Sequence, residues 1–152
     1  MLRELAGVLE EVVGLDQAEG LVSVVGQRLA DEINAGYRDG LATATLDEAQ
    51  VAEVLVDLKR RIGGGFSIEA RDSRRIVLRN TACPFGAAVI GRPALCMMTS
   101  NVFGGIVAEN LGYARVVLES TIANGDGGCH VVVELQPPDA EGSLTGREYF
   151  AR

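Results

Sequence analysis

The chain has 152 residues, of which 47% are hydrophobic and 23% charged, and its formal net charge is −7. This composition is typical of one globular domain that buries its own core. Only residues 59–61 and 74–75 form short basic runs. Because nucleic-acid binding depends on basic side chains that neutralise phosphates, we expect no direct contact with nucleic acid.

The sequence also argues against export and membrane insertion. No apolar run reaches the roughly 20 residues that span a bilayer. Residues 1–5, Met-Leu-Arg-Glu-Leu, lack the order of a basic segment followed by an apolar core that marks a signal peptide. We therefore expect a cytoplasmic protein. In that compartment, three cysteines indicate free thiols or metal ligands more than disulfides.

Apolar residues at helical spacing predict three helices in the N-terminal third. The first stripe runs from Leu2 to Val13 and ends at Gly14. In the second, Asp16 is the predicted N-cap, and Gly26 and Ala30 are small enough to let another helix approach. A capping box at residues 45–48 predicts the third helix, which ends at the glycines 63–65.

The pattern changes to strict alternation after the third helix. Residues 66–70 and 76–78 predict a hairpin, and residues 83–86 predict a turn. Pro93 is well placed to begin a fourth helix that reaches about Asn110, with Gly112 as its C-cap. Two further strands are predicted at residues 113–122 and 129–136, joined by a glycine-rich loop.

The element order ααα-ββ-α-ββ predicts an α+β fold in which a four-stranded antiparallel sheet packs against helices. We expect a single domain over residues 1–136. Residues 137–152 form a polar tail that we expect to be loosely attached, with Tyr149 and Phe150 as the side chains able to dock it.

The three cysteines all lie at predicted element ends. Cys83 begins the turn, Cys96 lies in the first turn of the fourth helix, where free N–H groups favour a thiolate, and Cys129 opens the last strand. Their spacing is unlike that of a zinc finger. The alternative is that the thiols are small buried hydrophobes. His130 and Asp126 are the candidates for a fourth metal ligand, although His130 should point to the sheet face opposite Cys129.

Three segments carry a family resemblance: Cys-Pro-Phe-Gly at 83–86, Pro-Ala-Leu-Cys at 93–96, and residues 122–129. They resemble the methanogen output domain, a sensory or output module of prokaryotic signal-transduction proteins. The same order of cysteine motifs resembles the sensor region of the repressors that control the Suf iron–sulfur assembly operon. The order of helices and hairpins is similar to that of vinyl-reductase-like sensory domains, which bind small organic ligands and dimerise.

The resemblance implies a non-catalytic sensory or regulatory signalling domain that forms a homodimer and acts on a signalling partner. In the repressors the matching thiols hold an iron–sulfur cluster, which implies that role for Cys83, Cys96 and Cys129; zinc or no metal are the alternatives. The chain departs from the repressors because it lacks a basic winged-helix segment and a fourth cysteine.

Two other functions remain open. One is a metal-free pocket for an organic ligand between the sheet and the N-terminal helices, lined by Val25, Leu29, Leu118 and Val133. The other is a dimerisation scaffold that recruits partners through its acidic surface. An enzyme with Cys96 as nucleophile is the weakest case, because no general base is identifiable.

Overall fold

A computed structural model describes residues 2–139 and 145–152. These residues form four α-helices, five strands and two 3-10 turns, Gly86–Val89 and Ile122–Asn124, which confirms the α+β class. In chain order, the helices and strands are α1 (Leu2–Val13), α2 (Leu15–Gly40), α3 (Glu48–Arg60), β1 (Phe66–Arg71), β2 (Arg75–Asn80), α4 (Ala94–Leu111), β3 (Tyr113–Ser120), β4 (Cys129–Glu134) and β5 (Arg147–Phe150). Within these ranges, no helix combines the length and apolar character needed to cross a membrane.

The strands form one sheet in the order β1-β2-β4-β3-β5, and each neighbouring pair is antiparallel. Leu78 lies opposite Val131, which in turn lies opposite Leu118. These alternating residues direct one face of β2, β4 and β3 towards the helices, as period-two alternation predicts.

The expected count of four strands is wrong by one, because part of the predicted tail forms β5. Tyr149 anchors this strand: it is 8% exposed, and its hydroxyl lies 2.9 Å from Ser100 Oγ and 3.1 Å from Asn101 Oδ1. A buried tyrosine keeps its ring in the core and needs a partner for its hydroxyl, and α4 supplies both.

Helix α4 lies between α2 on one side and the sheet on the other, and small residues permit the close approach. A Cβ added at Gly105 would lie 2.8 Å from the Ala30 Cβ of α2, and one added at Gly26 would lie 2.8 Å from the Asn101 Cβ. A Cβ at Gly104 would overlap the Tyr149 ring. The predicted role of Gly26 and Ala30 in helix packing is therefore confirmed.

Helix ends match the predictions only in part. The end of α4 is as predicted, with Gly112 in the left-handed conformation at φ 93°. The capping box of α3 is shifted by two residues: Asp47 Oδ1 accepts from Gln50 N–H, and Gln50 Oε1 accepts from Asp47 N–H, each at 2.9 Å. Asp16 does not cap α2, because the helix begins directly after Gly14, at φ 84°.

Part of the predicted core face of α1 and α2 is exposed. Leu5 is 55% and Val12 74% exposed on α1, and Val25 of α2 is exposed as well. Helical periodicity identifies an apolar stripe but not the surface that covers it. In the described chain the other elements leave about half or more of each of these side chains uncovered.

Candidate functional site: a cavity lined by three cysteines

The fold brings all three cysteines to one small cavity between α3, α4 and the sheet. Its volume is about 30 Å³. A buried water needs about 10–15 Å³ and drug-sized ligands need roughly 300 Å³ or more, so in this form the cavity accepts only a compact occupant. Polar groups and apolar side chains both line it: Cys83, Cys96, Cys129, Lys59, Asn80, Thr99 and Thr121, with Phe66, Pro84, Phe85, Val89, Leu95, Leu118 and Val131.

Each thiol is positioned by a different local structure. Cys83 closes a turn in which its carbonyl accepts from Gly86 N–H at 2.9 Å. Cys96 lies in the first turn of α4, where its N–H donates to Pro93 O at 2.9 Å. Cys129 begins β4. All three side chains are half-buried and free of disulfide bonds.

Asn80 links Cys129 to the β1–β2 hairpin through hydrogen bonds. The residue is buried, and its Oδ1 accepts from the N–H groups of Gly65 and Ala82, both at 3.1 Å. Its Nδ2 donates to the sulfur of Cys129 at 3.8 Å. One amide therefore links both ends of the hairpin to one thiol.

The candidates for a fourth metal ligand lie elsewhere. Both ring nitrogens of His130 form hydrogen bonds with carboxylates. Nδ1 bonds with Glu119, and Nε2 lies 2.9 Å from Glu69 Oε2. Asp126 Oδ2 accepts from Thr121 N–H at 2.9 Å. His130 and Asp126 both line a groove on the other side of Cys129. For His130 the reason is that neighbours in a strand face opposite ways, whereas Asp126 lies in the loop before β4.

The thiols fit a metal by chemistry but not by a preformed geometry. Soft thiolates are the ligands that zinc and iron–sulfur clusters prefer. Over residues 2–139 and 145–152, however, no three histidine, cysteine, aspartate or glutamate side chains are grouped so as to hold a metal ion. Thiolates on one tetrahedral zinc lie about 3.8 Å apart, given a Zn–S bond of about 2.3 Å. A mononuclear site would therefore require the three segments to move.

Lys59 is a residue of this site that the sequence analysis missed. It is 7% exposed, and its Nζ donates to Thr99 Oγ1 at 2.7 Å. The Nζ also lies over the rings of Phe66 and Phe103, at 5.9 and 5.4 Å from their centroids. Burial lowers the pKa of Lys59 to about 8, while the three neighbouring cysteines act in the opposite direction. The ammonium group is therefore mainly charged at neutral pH.

The expectation of a thiolate at Cys96 is wrong. The pKa of this thiol is raised to about 11, mainly by burial and also by Cys129 and Cys83, although the Thr121 hydrogen bond and the Lys59 charge act to lower it. The cost of removing the thiolate charge from water outweighs the stabilisation that the N-terminus of α4 gives to that charge. In the metal-free protein Cys96 is a neutral thiol at physiological pH and a poor nucleophile.

The four residues expected to line an organic-ligand pocket do not meet. Val25 and Leu29 are exposed, Leu118 lines the cysteine cavity, and Val133 is buried in the main core. The reason is that α4 separates α2 from the sheet, which leaves no space between the sheet and α2.

Among curated proteins no match was found. Ten chains of solved structures match. One is the phenol-responsive sensory domain of the transcription activator PoxR, solved with phenol. It shares 12% identity with this chain at a TM-score of 0.70, over 88% of this chain and 72% of that one. At this identity, the comparison establishes a common fold.

A family model also matches the sequence, that of methanogen output domain 1, MetOD1, and the match extends over residues 1–134. This range includes the three segments on which the resemblance depended and all three thiols of the cavity. The chain therefore belongs to the methanogen output domain 1 family.

Proposed function

We propose that this domain is a non-catalytic sensory or regulatory module and that the cysteine cavity is where it receives its signal. One observation carries the proposal: thiols from a turn, a helix start and a strand start line a single cavity, together with a buried lysine. Family membership and the fold shared with the sensory domain of PoxR support it.

We propose further that Cys83, Cys96 and Cys129 hold an iron–sulfur cluster, with zinc as the alternative. A cluster distributes its thiolate ligands over several iron atoms, so they need not lie as close together as around one zinc ion. A non-protein thiol would supply the remaining ligand, since His130 and Asp126 face the outer groove. A bound cluster would join the turn at Cys83, the start of α4 and the start of β4. Binding and loss of the cluster would then shift the domain between a joined and a separated arrangement of these segments.

The test is purification without oxygen, followed by a visible absorption spectrum and analysis for iron, sulfide and zinc. We expect Cys83→Ser, Cys96→Ser and Cys129→Ser each to abolish the bound metal. His130→Ala is the matched control, because it is adjacent to Cys129 but outside the cavity, and it should retain metal. Unchanged metal content in all three cysteine variants would refute the proposal.

A small organic ligand in the same cavity is the second candidate, and its binding would require the cavity to enlarge, because about 30 Å³ admits only a few heavy atoms. The aromatic and aliphatic lining favours it, notably Phe66, Phe85 and Leu118, as does the fold shared with a domain that responds to phenol. Metal-free protein that binds phenol saturably, with chemical-shift changes at Leu118 and Val131, would support this candidate. Absence of those changes would exclude phenol as an occupant of this cavity.

We propose that the module works in the cytoplasm as a homodimer that acts on a signalling protein, without direct contact with nucleic acid or membrane. The exposed apolar side chains of α1 and α2 support a dimer, because an exposed apolar patch marks an interface, and Leu5 of α1 lines one apolar hollow together with Leu21 and Val25 of α2. Light scattering after size exclusion should give twice the chain mass, and Val8→Glu with Val12→Glu should give the monomer. A wild-type monomer would contradict the dimer.

A further inference from the structure

The cysteine cavity contains a buried positive charge, and within the described part of the chain no carboxylate lines the cavity to pair with it. An ammonium group has three N–H donors, and Lys59 uses one of them on Thr99. Of the described residues that line the cavity, none is an aspartate or a glutamate. Asp57, two residues earlier on α3, accepts instead from the Tyr37 hydroxyl at 2.6 Å and from Arg61 Nε at 2.7 Å.

This arrangement is unfavourable unless something compensates for it. Buried charges in proteins are normally paired or bind metals, because removing an ion from water is costly. The rings of Phe66 and Phe103 attract the ammonium group through cation–π contacts, but they supply neither a negative charge nor an acceptor for its remaining N–H donors. The remaining donors of Lys59 therefore suit an acceptor that carries a negative charge and enters the cavity from outside.

We propose that the cavity binds a compact monoanion, with Lys59 as its counter-charge. It rests on the proposed function only in taking the cavity as the receiving site, and it names the class of ligand that the metal-free protein takes. One negative charge matches the one available cation, whereas a dianion would bring an unpaired charge into the apolar lining. The volume of about 30 Å³ limits the ligand to a few heavy atoms, and the apolar walls favour a small monocarboxylate.

The test uses acetate and its neutral analogue acetamide on reduced, metal-free protein in a zwitterionic buffer at pH 7. Calorimetry measures affinity, and amide chemical shifts locate the site. We expect saturable acetate binding with shifts at Thr99 and Phe66, and at least tenfold weaker binding of acetamide. Lys59→Met should weaken acetate at least tenfold. Arg60→Gln, on the exposed neighbour in α3, should leave the affinity within twofold.

Three results would overturn the inference: no saturable binding of acetate, equal binding of acetamide, or unchanged acetate binding by Lys59→Met. Thr99→Val provides a second variant if Lys59→Met does not fold, because it removes the group that orients the ammonium. We expect it to weaken acetate at least threefold, and an unchanged affinity would also overturn the inference.

Metal content measured on the same variants separates this inference from the proposed function. Cysteine-dependent metal without acetate binding would refute the anion site and leave the metal proposal standing. Acetate binding that depends on Lys59, in protein that takes up no metal, would refute the metal proposal and support the anion site.

Discussion

Replacing Lys59 by methionine should make the ligand-free, reduced protein more stable. Burial lowers the pKa of this lysine from 10.5 to about 8. At 1.36 kcal/mol for each pKa unit, holding the charge in the folded state costs about 3 kcal/mol at neutral pH. Methionine fills a similar volume without the charge, but Thr99 loses a hydrogen bond worth about 1 kcal/mol. The cation–π contact with Phe66 and Phe103 gives way to a weaker sulfur–aromatic contact, at a further cost of about 1 kcal/mol. The expected net gain at pH 7 is about 1 kcal/mol.

The pH dependence provides the sharper test of the same reasoning. The folded pKa lies below the unfolded one, so the unfolded chain binds more protons between pH 8 and 10.5. The free energy of unfolding of the wild type therefore rises between pH 8 and 10.5. Below pH 8 the buried charge of Lys59 destabilises the fold by its full amount. Cys96 has the opposite effect above pH 9, because its folded pKa is raised to about 11. The lysine effect is thus best measured from pH 7 to 9.

Urea unfolding of the wild type and of Lys59→Met, at pH 7, 8 and 9 with reductant and chelator, measures the stability difference at pH 7 and its change with pH. The stability advantage of the variant should shrink by about 1 kcal/mol between pH 7 and 9, as the wild-type lysine loses its proton. A variant less stable than the wild type at pH 7, or an advantage that is constant with pH, would refute the reasoning about a buried, unpaired charge.

Three further predictions concern packing, reactivity and capping. Gly104→Ala places a Cβ against the Tyr149 ring and should cost about 1–3 kcal/mol by thermal unfolding; an unchanged melting temperature would show that β5 moves freely. Cys96, with its pKa raised to about 11, should react with iodoacetamide at pH 8 about 100-fold more slowly than an ordinary thiol, as peptide mass spectrometry can measure; a rate like that of a free cysteine would contradict its burial. Asp47→Ala should cost about 1 kcal/mol, whereas Thr45→Ala, at the position first expected to cap α3, should cost nearly nothing; the reverse order would restore the original capping prediction.

Much of the fold was predictable because its signals are local. Alternation located β1 and β2, and Pro93 with Gly112 marked the ends of α4 to within one residue. The fifth strand was not predictable in this way. It has four residues in a polar segment, and it is held by pairing with β3 and by Tyr149, which packs where Gly104 leaves space. These contacts join residues far apart in the chain, so no local pattern contains them.

The site was predictable to a similar degree. Cysteines at element ends indicated a common location, and the three thiols do line one cavity. Lys59 was overlooked because it begins a basic run that is otherwise exposed. Its position four residues after Leu55, and eight after Val51, places it on the buried stripe of α3, and this was the available signal. The state of Cys96 depends on burial, which only the assembled fold determines.

The amide of Asn80 has one further consequence. Because Oδ1 accepts two backbone N–H groups, the side chain cannot rotate to follow a displaced sulfur without weakening these bonds. The Gly65 N–H also donates to Ala82 O at 3.0 Å and so stays protected, whereas Ala82 N–H depends on the Asn80 side chain. Hydrogen exchange at the Ala82 amide would therefore report a movement of Cys129 that Asn80 follows, without a chromophore and whatever the occupant is.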